Sequence, residues 1–268
     1  MSEERVIKYI NNDKNLEEEI DEEFKEEWKE FFIDHKDEIE DIFNEKIKSA
    51  FFFPKREDVF RFCKKKNISE IKVVIVGMDP YPSYTIEGDI ITPVATGRSF
   101  EVKGLEKWTD KDKLTASLRN IIKTIYYNYS EEGSIPGIDD VIKGIGSEKF
   151  SISPPSEWFN KTEEDGVLWL NASLTVEPGA PGSHSKIWKP FMTELIKHMI
   201  EVNGNIKWVL WGTDAQNLIK PILSESYYSK GLVYTAVHPS SIPNKEKGRE
   251  AFVKDFSFKE IPEINWKC

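Results

Sequence analysis

Four short apolar runs punctuate the chain, and each ends on a polar residue or a glycine. Val73 to Gly77 is the clearest, followed at once by Met78-Asp79-Pro80-Tyr81-Pro82. A continuous apolar run closed by glycine is the pattern of a strand buried on both faces. Pro80 and Pro82 lack a backbone donor and hold the residues before them extended, so the chain must leave the sheet at Gly77. The pattern recurs where Val167 to Leu170 runs into Asn171, Ile206 to Trp211 into Gly212-Thr213, and Leu232 to Val237 into His238-Pro239.

Helical spacing fills the intervals. Ile20, Phe24, Trp28, Phe31 and Phe32 fall on one helical face, and Ile39, Ile42, Phe43 and Ile47 repeat the spacing, predicting two amphipathic helices packed on a core. A third stretch opens at Pro54 and ends on Lys64-Lys65-Lys66, where cations suit the helix dipole. Residues 114–129, Ile187 to Val202, Asp214 to Leu223 and about Lys247 to Phe256 also read as helices. The polar segment 83–98 and the Ser-, Pro- and Gly-rich segment 130–160 read as loop, the latter with at most short helices. Alternating strand and helix predicts an α/β fold: a central four-stranded parallel sheet flanked by helices. With no repeat or linker evident, residues 20–268 read as a single domain behind an acidic tail, 1–19.

Charge and composition narrow the function classes. The net charge of -10 lies in residues 1–50, which hold 18 acidic and 8 basic side chains; the rest is balanced at 29 of each. A nucleic-acid-binding face elsewhere is therefore compatible with the overall acidity. No apolar run approaches membrane-spanning length and the start is no secretory signal, so an intracellular, reducing compartment is expected. Cys63 and Cys268 make no disulfide framework or ligand spacing, and none of the four histidines is paired with cysteine, so no metal is expected.

In a parallel sheet the strand carboxyl ends share the edge where ligands bind. Asp79, Asn171, Gly212-Thr213 and His238 all fall at such ends, with Tyr81 and Phe100 nearby in sequence. Each has a plain alternative. Asp79 caps a turn, Asn171 closes one, His238 is a loop residue before proline, and Phe100 is core. Their coincidence at one edge favours a binding or catalytic pocket.

These residues also carry a resemblance. Gly-Met-Asp-Pro-Tyr-Pro at 77–82 resembles the water-activating loop of the uracil-DNA glycosylases, with a proline at 82 like the poxvirus branch. Gly-Val-Leu-Trp-Leu-Asn-Ala-Ser-Leu-Thr-Val at 166–176 is similar to their uracil-binding strand, followed by Ser183-His184. Leu-Trp-Gly-Thr-Asp-Ala-Gln at 210–216 is similar to their Gly-Ser loop, and His-Pro-Ser-Ser-Ile at 238–242 to their DNA-intercalating loop. Order and spacing agree from roughly residue 20 to the end, including Ile264-Asn265-Trp266.

The resemblance implies a hydrolase that flips uracil from single- or double-stranded DNA, at a cost of about a few kcal/mol, and cleaves its N-glycosidic bond without a cofactor. Asp79 would stabilise the sugar cation and orient water; His238, neutral, would donate to uracil O2, a contribution of ~3–4 kcal/mol for fixed donors of this kind. Phe100 would stack on the ring, Asn171 would read its N3–H and O4, and Tyr81 would exclude the methyl group of thymine. Met78 lines the same loop, and its backbone donor is the group of interest. Ile242 would fill the vacated stack. Ser117, Ser183, His184, Gly212, Thr213 and Ser240 are the expected phosphate contacts. The chain is expected to act as a monomer, with a replication or repair protein as a candidate partner.

Several positions depart from the family pattern. Met78 stands where glutamine is usual, and Pro82 replaces a histidine that helps hold the water. The segment from Asp79 to Phe100 is longer than usual, and Trp108 to Lys113 replaces a proline-rich loop. A polymerase-accessory or DNA-binding protein on the same fold is the competing reading, although keeping Asp79, Asn171 and His238 together weighs against it. A small-molecule α/β hydrolase lacks any Gly-x-Ser-x-Gly elbow.

Overall fold

A computed structural model describes residues 15–47, 51–130, 133–147, 150–241 and 250–268. Helices α1 (Leu16–Glu23), α2 (Glu26–Asp34), α3 (Lys36–Asp41), α4 (Arg56–Val59) and α5 (Arg61–Lys65) lead into strand β1 (Val73–Gly77). Strands β2 (Tyr84–Glu87) and β3 (Ile90–Pro93) precede α6 (Ala116–Tyr129), α7 (Ile138–Gly146) and α8 (Pro155–Glu164). Then follow β4 (Val167–Asn171), α9 (Ser185–Val202), β5 (Lys207–Trp211), α10 (Thr213–Ile219), α11 (Glu225–Ser229), β6 (Val233–Ala236) and α12 (Ala251–Asp255). The expected four-stranded sheet is present in the order β4-β1-β5-β6. β5 and β6 run parallel, with Trp208 opposite Val233 and Trp211 opposite Ala236. Among the described residues no helix is long and apolar enough to cross a membrane.

Contacts divide the chain into two compact units. The first takes in residues through 71, 76–103 and 169–206. Its core is aromatic: Phe32 sits 4.8 Å from Phe24, 5.1 Å from Phe60 and 5.7 Å from Phe191 between ring centroids. Buried Trp28 donates its indole N–H to the Lys66 carbonyl at 2.8 Å, closing α2 onto the segment before β1. The second unit takes in residues 72–75, 104–168 and 207–268. There Trp211 is ringed by Phe252 and Phe256 at 5.0 and 5.2 Å. Trp266, also buried, donates to the Ile261 carbonyl and accepts at its own carbonyl from the Trp158 indole, both at 2.9 Å.

The structure differs from the expected elements most clearly in four places. The first helix begins at Leu16, because Glu19 is no tail residue: it is buried, and its carboxylate meets the Arg56 guanidinium at 2.9 Å. The long first helix is broken at Phe24 and Lys25, both extended, where the Lys25 N–H turns aside to the Cys63 carbonyl. Segment 83–98 is no plain loop: β2 and β3 pair antiparallel, Ile86 opposite Ile91, around Gly88 with φ 62. Segment 130–160 holds two real helices, the second started by Pro155 in its first turn, where a missing N–H costs nothing.

The C-terminal anchor yields a stability prediction. Trp266→Ala is expected to lower the unfolding free energy by about 3–5 kcal/mol, through lost burial and the lost indole hydrogen bond to the Ile261 carbonyl. Urea denaturation checks it, and an unchanged midpoint would show that the C-terminal segment is dispensable to the fold.

Candidate active site

The first unit assembles its polar cluster around the end of β1. The Ala172 N–H donates to the Gly77 carbonyl at 2.9 Å and the Ser173 N–H to the Met78 carbonyl at 3.0 Å, so the two backbones remain zipped past the strand ends. A methyl group at Gly77 would stand 2.7 Å from Asn171 Oδ1 and 2.8 Å from Ser99 Cβ, closer than packing permits. Only glycine lets the Asn171 carboxamide lie against β1. Asn171 is buried, and its Oδ1 has no hydrogen-bond partner among the described residues. Leaving such an acceptor unmade costs about 1–3 kcal/mol, so this is a site that a ligand N–H would complete.

Around that carboxamide stand the two expected aromatics. Phe100 is buried, makes an edge contact with Trp169 at 6.4 Å, and would lie 3.5 Å from a Cβ at Gly77. Tyr81 is half-buried against Phe53, Ile91, Ala95 and Val176, and donates its hydroxyl to the Phe100 carbonyl at 3.4 Å. Asp79 and Met78 are half-buried on the same loop. The Asp79 carboxylate accepts from the Gly182 N–H at 2.5 Å, a charge-assisted bond that fixes its direction.

Gly182 belongs to a turn held from beneath. Trp188 donates to the Thr175 hydroxyl at 2.7 Å, and Thr175 in turn meets His184 Nδ1 at 2.8 Å. The other ring nitrogen of His184, Nε2, faces Glu177 at 3.7 Å. Burial holds the His184 pKa below the ordinary 6.5, against the opposing pull of Glu177. The Ser183 hydroxyl accepts from the Glu177 N–H at 2.8 Å while the residue itself is exposed.

The second unit carries its own cluster at the ends of β5 and β6. Gly212 has φ 91, and a Cβ there would meet His238 Cβ at 2.8 Å, so glycine is required twice over. Its N–H donates to the Ala236 carbonyl at 3.0 Å, and Gln216 reinforces the same carbonyl at 3.2 Å. His238 Nδ1 accepts from the Ser240 N–H at 3.2 Å and lies 2.8 Å from the Ser240 hydroxyl. With Nδ1 occupied as an acceptor, the neutral ring carries its proton on Nε2. Burial lowers the His238 pKa below 6.5, outweighing Asp214, so the ring is neutral at pH 7. Asn120 secures the loop by donating to the Pro239 carbonyl at 2.6 Å.

Of the side chains expected to meet phosphates, Ser183, Thr213 and Ser240 are exposed. Ser117 in the first turn of α6 is buried, and so is His184. Ile242 lies outside the described residues. Sequence reasoning missed Thr175, Gly182 and Asn120. Gly182 was visible only as one turn glycine among several, and nothing in the pattern singled out Thr175 or Asn120.

The profile of the Uracil DNA glycosylase superfamily matches residues 64–257. A uracil-DNA glycosylase of Helicobacter pylori (strain HPAG1) is 30% identical over 234 residues, covering 82% of this chain and 88% of the relative. One of Francisella tularensis subsp. holarctica (strain LVS) is 31% identical over 199 residues, 74% of each. Among solved structures, the UNG of Nitratifractor salsuginis matches with a TM-score of 0.63 at 18% identity, covering 88% of this chain and 89% of that one. Mimivirus uracil-DNA glycosylase matches with a TM-score of 0.56 at 22% identity, covering 82% and 71%. The fold is thus that of the DNA glycosylases acting on uracil. The chain itself belongs to the uracil-DNA glycosylase superfamily.

The lowered histidine pKa values set a pH dependence. As pH falls through 6.5 the unfolded chain takes up protons that buried His184 and half-buried His238 still refuse, so the unfolded state gains. Their contribution to stability is complete above 6.5 and lost progressively below it. Urea unfolding between about pH 7.5 and 5 is expected to show this fall, and a shallower slope in His184→Gln. A slope unchanged in that variant would assign the effect to other groups.

Proposed function

We propose that this uracil-DNA glycosylase uses Asp79 and His238 as its catalytic pair, with Asn171, Phe100, Tyr81 and the Met78 backbone forming the base pocket. The enzyme is a hydrolase of base excision repair: it cleaves the N-glycosidic bond of uracil in DNA, releasing the base and leaving an abasic site. The observation that carries the residue assignment is the orphaned, buried Asn171 Oδ1 beside Gly77. Uracil N3–H completes that acceptor and uracil O4 accepts a hydrogen bond from the NH2 of the same amide, whereas cytosine presents the reverse pattern. A site with a buried group left unpaired by the wrong base discriminates strongly.

Asp79 faces the sugar. Ionised and fixed by the Gly182 N–H, it stabilises positive charge developing at C1′ and orients the attacking water. His238 supplies the complementary donor. Its Nε2–H, set by the Ser240 contacts to Nδ1, stabilises negative charge on uracil O2 without transferring its proton. The Tyr81 ring occupies the space a 5-methyl group would need. Ser183, Thr213, Ser240 and the Gly212 backbone grip phosphates, which positions the strand without reading sequence. Ile242 wedges into the stack left by the flipped base. The enzyme acts as a monomer on single- or double-stranded DNA, and its free cysteines, Cys63 and Cys268, suit a reducing compartment.

An oligonucleotide with one uracil, incubated with enzyme and cleaved with alkali, tests the reading. Asp79→Asn is expected to lower kcat by about 10²–10⁴-fold with KM little changed. Tyr81→Ala is expected to excise thymine as well as uracil. Wild-type rates in Asp79→Asn would exclude the carboxylate, and continued rejection of thymine by Tyr81→Ala would overturn the pocket assignment.

A further inference from the structure

Phe100 has φ 65, in the left-handed region that side-chain-bearing residues avoid, bulky aromatic ones above all. The Glu101 N–H donates to the Ser99 carbonyl at 2.9 Å, so Phe100 is the centre of a γ-turn of the rare, strained hand. Such strain persists only where the surroundings over-determine it. Here they do. Arg98 Nη1 donates to Glu101 Oε1 at 3.0 Å, closing an ion pair across the turn with both side chains buried. The Thr96 hydroxyl donates to the other carboxylate oxygen, Oε2, at 2.6 Å and accepts from the Arg98 N–H at 3.3 Å. On the near side, the Ser99 N–H donates to the Trp169 carbonyl at 3.2 Å, tying the turn to β4 two residues before Asn171.

We propose that Thr96, Arg98 and Glu101 are positioning residues for base recognition: their buried network holds the γ-turn that presents the Phe100 ring beside the Asn171 carboxamide. A buried ion pair is weak evidence for stability, since an apolar pair of similar volume often serves as well or better. What apolar side chains cannot do is clamp the two ends of a strained turn at fixed hydrogen-bond distances. The pair sits on either side of the strained residue, which is where a clamp has to act. Relaxation of Phe100 to an ordinary φ would swing its ring and shift the carbonyl that accepts from Tyr81, so the base-stacking and methyl-excluding groups would lose their register together. The inference rests on Phe100 as the stacking residue.

The test combines Arg98→Met with Glu101→Met, an apolar replacement expected to keep the fold, and uses Thr96→Val as a milder second variant. Inhibition by free uracil, kcat and KM on a uracil oligonucleotide, and thermal melting are measured in each, alone and with Phe100→Ala. The expected result is a melting temperature near that of the wild type, an inhibition constant for uracil raised about tenfold, and a loss in kcat larger than the change in KM. With Phe100→Ala present, the same changes are expected to have little further effect, because both act through one ring. Wild-type uracil binding in the apolar variant, or an equal loss with and without Phe100, would overturn the positioning role. If Phe100→Ala alone leaves uracil binding intact, the stacking assignment falls and this inference with it.

Discussion

The first unit's candidate base pocket depends on one close approach. Asn171 Oδ1 lies where a side chain at position 77 would begin, and that contact is possible only because β1 ends on glycine. Everything else in the pocket follows from it. The backbones of 77–78 and 172–173 stay hydrogen-bonded beyond the strands, which carries Met78, Asp79 and Tyr81 to one side and leads on from Asn171 to the Gly182 turn. The cost is a buried carboxamide oxygen with nothing to bind, and that cost is recovered when a ligand supplies the missing donor.

Asp79 and His238 are each oriented by fixed dipoles. The Asp79 carboxylate is aimed by the Gly182 backbone N–H. His238 is kept neutral by burial and given its tautomer by Ser240, which leaves Nε2–H as a donor in the proposed mechanism. Preorganised donors and acceptors of this kind need no rearrangement as charge develops, which is where electrostatic catalysis gains most. The strained turn at Phe100 extends the same logic to the apolar wall of the pocket.

The sheet was legible in the sequence because strands buried on both faces must be continuously apolar, and Val73–Gly77 and Val167–Asn171 are buried throughout. The hairpin β2–β3 was not. Its strands are short and β2 is wholly exposed, so the alternation of Tyr84, Thr85, Ile86 and Glu87 is too brief to stand out from a polar loop. The break at Phe24 was equally hidden, since Phe24 and Trp28 keep helical spacing while the backbone between them does not. Among site residues, those at strand ends were readable from position alone. Buried partners such as Thr175 carry no such mark, because their role is fixed by hydrogen bonds across nine to thirteen residues of chain. The burial of Ser117 and His184 was not readable either, because a polar residue type does not reveal that its side chain points inward.

The most direct measurement is the side-chain amide resonance of Asn171 during titration with free uracil and, separately, with thymine. Uracil is expected to shift that resonance strongly as its N3–H and O4 engage the carboxamide, and thymine at the same concentration is expected to leave it nearly in place. A resonance unmoved by uracil, or moved equally by thymine, would contradict the assignment of the Gly77–Asn171 pocket as the place where the base is read.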